Sequence, residues 1–210
     1  MKSVRTTART AVRTAVALAA AAACVLTATG AAAPGPPAGA APSATEPASV
    51  GTLDVPRYLG PWFQFAAVPR EFEAKCAKNV HGEYGLTPSG SLSVRNGCTT
   101  WQGVESSIEG EAKPLDATGS RLNVSFVAVD GSYRHGENAN YIVVGIARDY
   151  RWAVVTDSAR RSGFVLSRTP GLTEGRQHAA RQAVRAAGLD PCTFLTTRQD
   201  GGSRTAEPFC

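Results

Sequence analysis

Histidine and cysteine are the side chains in this sequence that could most readily hold a metal ion or attack a substrate. His81, His135 and His178 lie far apart and share none of the spacings that bind a metal. The chain also lacks a Gly-x-Ser-x-Gly nucleophile elbow, a P-loop and a paired-glycine dinucleotide fingerprint. We therefore predict a protein that is not an enzyme, with no catalytic residue, metal or cofactor, and place the three histidines on its surface.

Four of the five cysteines lie beyond the N-terminal region, at positions 76, 98, 192 and 210. In an exported domain, an even number of cysteines favours disulfides over reactive thiols. A turn centred near Pro88 lies almost midway between Cys76 and Cys98, which would face each other across a hairpin. Cys192 and Cys210 would then tie the C-terminal tail back on itself. This pairing leaves no thiol nucleophile.

The N-terminus has the form of a secretory signal peptide. An alanine-rich apolar run over residues 15–27 follows four basic residues, Lys2, Arg5, Arg9 and Arg13. The run is too short and too poor in bulky side chains for a convincing membrane-spanning helix. The protein is therefore predicted to be secreted. The alternative is a cell-surface lipoprotein anchored through Cys24, a cysteine that follows small residues at the end of the run.

The remaining sequence divides into a linker and one domain. We assign residues 1–33 to the signal peptide and residues 34–50, rich in proline and alanine and without aromatic side chains, to a flexible linker. Residues 51–210 suit a single domain with a sizeable core. The net charge of +5 comes mostly from the signal, because 18 basic and 17 acidic residues remain without its four cations. No nucleic-acid partner is implied.

Short apolar segments with polar or glycine-containing connections predict an all-β fold. Eight strands are expected: one starting at Trp62, then residues 79–86, 91–96, 104–113, 121–129, 141–147, 151–156 and 163–168. With no long helix between them, they predict an up-and-down antiparallel barrel. A helical period over residues 173–187 predicts one α-helix packed on the outside of the barrel, and residues 193–197 a short ninth strand. Residues 68–75 predict a helical turn that acts as a lid, with Phe72 folded under a barrel end.

Three motifs in this sequence resemble those of the lipocalin family. Gly60 and Trp62 begin the first strand, Arg168 ends the last one in the segment LSRTP, and Tyr150 belongs to the intervening segment DYRWAVVTD. The resemblance runs from about residue 53 to residue 199 and is closest to the bacterial lipocalin and apolipoprotein D branch. It predicts that the Arg168 guanidinium lies over the Trp62 indole at the narrow end of the barrel.

The same resemblance leaves a second disulfide pattern open. Members similar to apolipoprotein D tie the first hairpin to the C-terminal tail. In this sequence that pattern would join Cys76 to Cys210 and Cys98 to Cys192.

Strand alternation predicts which side chains face the barrel interior. Besides Val80, Leu92 and Val143, the inward set that we expect to contact a ligand is Tyr84, Val94, Asn96, Leu122, Val124, Phe126, Tyr141, Phe164 and Leu166. The alternative is that these side chains simply fill a solid core. The resemblance favours a cavity, since lipocalins of this branch bind fatty acids or lysophospholipids and Tyr84, Asn96 and Phe164 match pocket-lining positions there. It implies binding, transport or scavenging of a small hydrophobic ligand; a lipocalin-like enzyme acting on a lipid or isoprenoid is the alternative.

Overall fold

The computed structural model describes residues 45–210, in which alternating apolar strands and tight turns build one closed barrel. In chain order the strands are β1 (Gly60–Ala67), β2 (Cys76–Leu86), β3 (Leu92–Thr100), β4 (Glu105–Pro114), β5 (Arg121–Ser125), β6 (Ala128–Val129), β7 (Ser132–Tyr133), β8 (Tyr141–Ile146), β9 (Trp152–Thr156), β10 (Gly163–Ser167) and β11 (Leu195–Thr196). The helices are α1 (Val55–Tyr58) and α2 (Glu174–Ala186), with 3-10 turns at Glu71–Glu73 and Pro191–Thr193. The signal peptide predicted for residues 1–33, including Cys24, lies outside the described residues.

Eight antiparallel strands close the barrel, as predicted. Each pairs with its neighbour in the order β1, β2, β3, β4, β5, β8, β9, β10, and β10 returns to pair with β1. The closing pairs include Phe63 with Ser167 and Ala67 with Phe164. β11 adds a ninth strand beside the end of β1, opposite Ala66 and Ala67. Between β2 and β3, Gly90 has a φ of +85°, which a glycine adopts without steric cost.

The seam between β5 and β8 differs from the continuous strand predicted over residues 121–129. Only Arg121 and Leu122 pair with β8, and the chain then leaves the sheet at Ser125. Where this pairing ends, the Asn140 side chain makes the two hydrogen bonds that a neighbouring strand would make to Val124. It accepts from the Val124 N–H (2.6 Å) and donates to the Val124 carbonyl (2.8 Å). Residues 126–140 therefore form a loop, which contains the small ribbon β6–β7.

A bulge in β1 changes which side chains face inward. The register shifts between Gln64 and Ala66, so that Trp62 and Gln64 keep the inward face while Ala66 packs in the outer core beneath α2. Strict alternation from Trp62 and Gln64 would place Ala66 and Val68 on the inward face as well, but both pack in the outer cluster. A bulge places two residues opposite one and so breaks the alternation of sides.

Helix α2 packs on the outside of the barrel, as predicted. Its Ala180 and Val184 are fully buried, in one cluster with Trp152 and Val154 of β9. The close approach requires Gly145 of β8, because a Cβ there would lie 2.6 Å from the Ala183 methyl. Within residues 45–210, neither helix is long and apolar enough to cross a bilayer.

The last residues of the predicted linker are packed against the barrel. Pro47 is fully buried, the Val50 N–H donates to the Val143 carbonyl (2.8 Å), and Glu46 forms an ion pair with Arg121. The boundary predicted at residue 50 is therefore wrong, since residues 45–50 belong to the folded domain. A proline-rich composition indicates weak core-forming potential, but one proline can still fill a surface depression. The part of the linker before residue 45 lies outside the described residues.

Two disulfides join Cys76 to Cys98 and Cys192 to Cys210, which is the first of the two connectivities considered above. The first links β2 to β3 across their hairpin. The second joins the 3-10 turn after α2 to the C-terminal residue, beside the packing of Phe209 against Phe65. Each therefore closes a loop of the native chain.

Removing the hairpin disulfide should destabilise the fold. Its cysteines are 22 residues apart, and the chain-entropy model gives roughly 3 kcal/mol for a loop of this size. We expect the paired Cys76→Ser and Cys98→Ser variant to lose about that much unfolding free energy in urea. Peptide mapping without reduction should recover Cys76 linked to Cys98; a Cys76–Cys210 peptide would refute the pairing.

Candidate functional site

The narrow end of the barrel is closed by Trp62, Tyr58 and Arg168. The Trp62 side chain is fully buried, and its indole N–H donates to the Tyr58 carbonyl (2.8 Å). The Arg168 guanidinium lies 3.8 Å from the indole centroid, as the motifs predict. The guanidinium also donates to the carbonyls of Pro61 (2.7 Å) and Arg57 (2.7 Å). Arg168 therefore satisfies backbone acceptors at this end and faces away from the interior.

The other two motif residues support the same closure. Gly60 has a φ of +88°, a backbone conformation that side chains disfavour, and a Cβ there would lie 3.6 Å from the Arg168 guanidinium. Tyr150, with a φ of +57°, offers its carbonyl to Arg168 (3.4 Å), and its hydroxyl accepts from the Asp54 N–H (2.9 Å). All four motif residues thus act at the closed end.

Beyond this plug lies a cavity of about 1030 Å³. Eight of the nine side chains predicted to contact a ligand line it: Tyr84, Val94, Asn96, Val124, Phe126, Tyr141, Phe164 and Leu166. The ninth, Leu122, is buried in the core cluster and does not line the cavity. The Leu122 side chain faces inward as predicted, but its position in β5 is too near the closed end for it to line the cavity. Val80 also lines the cavity, whereas Leu92 and Val143 belong to the core. The interior is therefore not a solid core.

Tyr84 and Tyr141 line the floor of the cavity, and hydrogen bonds link them to a third tyrosine behind them, Tyr58. The Tyr58 and Tyr141 hydroxyls are 2.7 Å apart, and the Tyr141 hydroxyl donates to that of Tyr84 (2.9 Å). Burial raises the pKa of Tyr84 to about 12 and raises the pKa of Tyr58 and Tyr141 as well. The floor is therefore uncharged at neutral pH. Sequence analysis missed Tyr58, which stands before the strand, on α1; its place four residues ahead of Trp62 was the available signal.

The mouth of the cavity combines charged and exposed apolar side chains. Its rim includes three basic residues, Arg70, Lys75 and Arg161, and three acidic residues, Glu73, Glu137 and Asp157. The predicted turn of residues 68–75 is present as the 3-10 turn Glu71–Glu73, but Phe72 is 63% exposed and does not fold under the barrel. Ile108 and Phe126 are also exposed at this rim. A polar head group would meet charge and solvent here, while its chain would meet the apolar wall.

The histidines are not all surface residues. His178 is exposed, but His81 and His135 are partly buried. The His135 ring lies between the Asn123 carbonyl (3.0 Å) and a Glu111 carboxylate oxygen (3.1 Å), so it attaches the loop of residues 126–140 to β4. His81 contacts the Asn79 carbonyl (2.8 Å). In residues 45–210 no three His, Cys, Asp or Glu side chains are grouped to hold a metal ion.

Glu73 should give the stability of the protein a characteristic pH dependence. Burial raises the pKa of its carboxyl above 4.5, against the opposing effect of the hydrogen bond from Gln64 (3.0 Å). A raised native pKa means that the native state binds the proton more tightly than the unfolded chain. As the pH falls from neutral towards 4.5, the wild type should therefore gain unfolding free energy relative to Glu73→Gln. Denaturant titrations across this range measure the difference.

The control for this measurement is Glu71→Gln, which changes an exposed carboxylate on the same turn. Its stability should follow that of the wild type across the range. A difference between the wild type and Glu73→Gln that stays constant with pH would contradict the expectation.

Comparison with known proteins gives consistent matches over most of the chain. A family profile described as "Lipocalin-like domain" matches residues 53–199. Outer membrane lipoprotein Blc of Escherichia coli K12 is 32% identical over 154 residues, covering 72% of this chain and 82% of that protein. Mouse apolipoprotein D is 25% identical over 153 residues, covering 70% and 77%. The solved structure of insecticyanin from the tobacco hornworm Manduca sexta has a TM-score of 0.56 at 17% identity, covering 79% of this chain and 93% of that one, which shows the fold alone.

Proposed function

Because this chain belongs to the lipocalin family, whose members are generally small-molecule binding proteins, we propose that its cavity binds a long-chain fatty acid or a lysophospholipid without chemical turnover. The observation that carries the proposal is the apolar wall of the cavity. Val80, Val94, Val124, Phe164 and Leu166 come from four different strands and meet around one space. Such a space suits one flexible hydrocarbon chain.

The affinity would come from removing that chain from water. Burial of one methylene contributes about 0.8 kcal/mol before the entropic costs of association are subtracted. A chain of ordinary membrane-lipid length then supports dissociation constants from tens of nanomolar to micromolar. The volume of about 1030 Å³ is at the upper end of the range typical for drug-sized ligands, which leaves room for a full acyl chain.

The charges at the rim favour a head group that is anionic or zwitterionic and lies at the mouth. The Asp157 carboxylate already accepts from the Ser162 hydroxyl and N–H (both 2.6 Å), and Glu73 accepts from Gln64. Within the described chain, the side chains of Lys75 and Arg161 form no ion pair. Lys75 and Arg161 are thus available to the anionic part of a head group, and Glu137, which also forms no ion pair in this part of the chain, is available to the cationic part of a zwitterion.

The thiols and tyrosine hydroxyls that could support catalysis have structural roles in this part of the protein. All four cysteines of the described chain are in disulfides, so this part of the protein offers no thiol nucleophile. Burial raises the pKa of the Tyr58, Tyr84 and Tyr141 hydroxyls and keeps them neutral, and within residues 45–210 they are hydrogen-bonded to one another rather than to a basic side chain. This supports binding over the alternative of a lipid- or isoprenoid-directed enzyme.

We further propose that the protein acts outside the cytoplasm, as a secreted carrier or as a lipoprotein anchored through Cys24. The sequence of residues 1–33 supports export, and the Escherichia coli relative is named an outer membrane lipoprotein. Labelling of cells with radioactive palmitate distinguishes the two forms. A labelled wild type with an unlabelled Cys24→Ser variant would establish the anchor, and an unlabelled wild type in the medium would establish secretion.

The test of binding is a titration of delipidated protein with a fluorescent fatty acid. We expect saturable binding of one molecule per chain, and displacement by unlabelled palmitate and by lysophosphatidylcholine. Native mass spectrometry of protein purified without detergent should also detect a co-purifying lipid. Absence of saturable binding to the delipidated, folded protein would refute the proposal.

A further inference from the structure

The tyrosines of the cavity floor are hydrogen-bonded in a definite direction. The Tyr141 hydroxyl donates to the Tyr84 hydroxyl, and a hydroxyl has only one hydrogen to donate. The contact between Tyr58 and Tyr141 must therefore have Tyr58 as the donor. Tyr84 accepts at the end of this chain and keeps its own hydrogen. Within residues 45–210 that hydrogen has no acceptor, although Tyr84 lines the cavity.

A second unused polar group lies beside the first. Asn96 is partly buried and lines the cavity, and its amide makes no hydrogen bond to any residue of the described chain. Gly82 lies between the two groups: a Cβ at this position would be 3.0 Å from the Asn96 Oδ1 and 3.4 Å from the Tyr84 hydroxyl oxygen. Both groups therefore border the space that the missing side chain leaves open.

An unsubstituted acyl chain would leave these groups without partners. A buried donor or acceptor that loses its partner costs about 1–3 kcal/mol. The donor at Tyr84 is also strengthened, because hydroxyls linked in series polarise one another. A ligand with an oxygen at this depth would satisfy the groups that a plain hydrocarbon would leave unpaired.

The oxygen at this depth should be uncharged. Burial raises the pKa of all three tyrosines, so none of them carries charge at neutral pH. The cation behind the floor, Arg168, lies over the opposite side of the plug and donates to the carbonyls of Pro61 and Arg57. A carboxylate at the floor would be a buried anion without a counter-ion, which is strongly unfavourable.

We propose that the preferred ligand is an oxygenated lipid, with a ketone or hydroxyl group partway along its acyl chain that accepts a hydrogen bond from Tyr84 and pairs with the Asn96 amide. This inference rests on the proposed function, because the head group of the same molecule lies at the mouth. Hydroxy- and oxo-fatty acids, free or as the chain of a lysophospholipid, share the chemistry that the floor recognises.

The experiment compares fatty acids of one length that differ only in oxidation. Oxo acids with the ketone stepped along the chain, and the saturated parent acid, compete with the fluorescent fatty acid for delipidated protein. At the position that reaches Tyr84 we expect binding about 10-fold tighter than that of the parent acid. The infrared carbonyl band of that bound, isotope-labelled ketone should shift as it does on hydrogen bonding.

Variants assign the preference to its residues. Tyr84→Phe should bring the ratio of oxo-acid to parent-acid affinity close to one. Gly82→Ala should also reduce the ratio, by placing a methyl group between the two polar groups. The matched control is Tyr133→Phe on β7, away from the cavity, which should keep the ratio of the wild type.

The outcomes separate this inference from the function on which it rests. Equal affinity for the parent acid and for every oxo acid overturns the inference and leaves fatty-acid binding intact. A preference that persists in Tyr84→Phe and Gly82→Ala also overturns it. No binding of any acid refutes the proposed function itself.

Discussion

Replacing Phe164 with aspartate should lower the affinity for a fatty acid at least about 100-fold, without unfolding the barrel. Phe164 lies in β10 between Val155 of β9 and Ala67 of β1, and its partly buried ring forms part of the cavity wall. An ionised carboxylate there would face the bound chain in a site with little water. Leaving such a group unpaired costs several kcal/mol, and each 1.4 kcal/mol is about a tenfold loss of affinity.

The measurement is the fluorescent fatty-acid titration, with circular dichroism and thermal unfolding as checks on the fold. The matched control is Leu86→Asp, which introduces the same charge at an exposed apolar position of β2 that does not line the cavity. Leu86→Asp should bind as the wild type does. Equal binding by a folded Phe164→Asp variant would mean that the lipid binds somewhere else.

Replacing Arg168 with alanine should lower the unfolding free energy by about 2–4 kcal/mol. The side chain contributes a cation–π contact worth about 1–2 kcal/mol when desolvated, and charged hydrogen bonds to backbone carbonyls that otherwise depend on water. Removing the Arg168 side chain would expose the Trp62 indole to solvent at the closed end. We expect a lower melting temperature and altered tryptophan fluorescence, while the binding stoichiometry stays at one lipid per chain.

One further variant separates the geometry of the Arg168 side chain from its charge, and a second is a control at an exposed arginine. Arg168→Lys keeps the charge but loses the planar, forked donor, so it should recover only part of the stability. Arg95→Ala removes an exposed arginine of β3 and should leave the melting curve within about 0.5 kcal/mol of the wild type. An unchanged melting curve for Arg168→Ala would count against a structural role of the contact.

Sequence reasoning captured the features that repeat along the chain or are strictly local. Strand alternation put eight of nine expected side chains on the cavity wall, because a period of two leaves only the choice of starting face. The motifs around Gly60, Trp62 and Arg168 located the closed end. The near symmetry of Cys76 and Cys98 about a turn gave the disulfide that the structure contains.

The features that were missed depend on tertiary packing. The bulge after Gln64 turns the Ala66 side chain to the outer face of the barrel, and no residue type in this stretch indicates a bulge. The depth of Leu122 along the barrel axis cannot be read from alternation, which gives the side but not the height. Tyr58 reaches the floor from α1, outside any strand, and Pro47 is buried by a surface that only the completed barrel provides.

The barrel wall should open more easily where the Asn140 side chain replaces the pairing of two strands. Around most of the circumference, parting two strands means breaking a ladder of backbone hydrogen bonds in sequence. At the mouth between β5 and β8, rotation of one exposed amide releases both groups of Val124 at once. Amide hydrogen exchange should therefore be faster at Val124 than at Val154 of β9, which pairs with Val165 of β10 and Gly145 of β8. At this point the wall of the cavity is held by side-chain hydrogen bonds of Asn140 and Asn123 instead of a ladder between two strands.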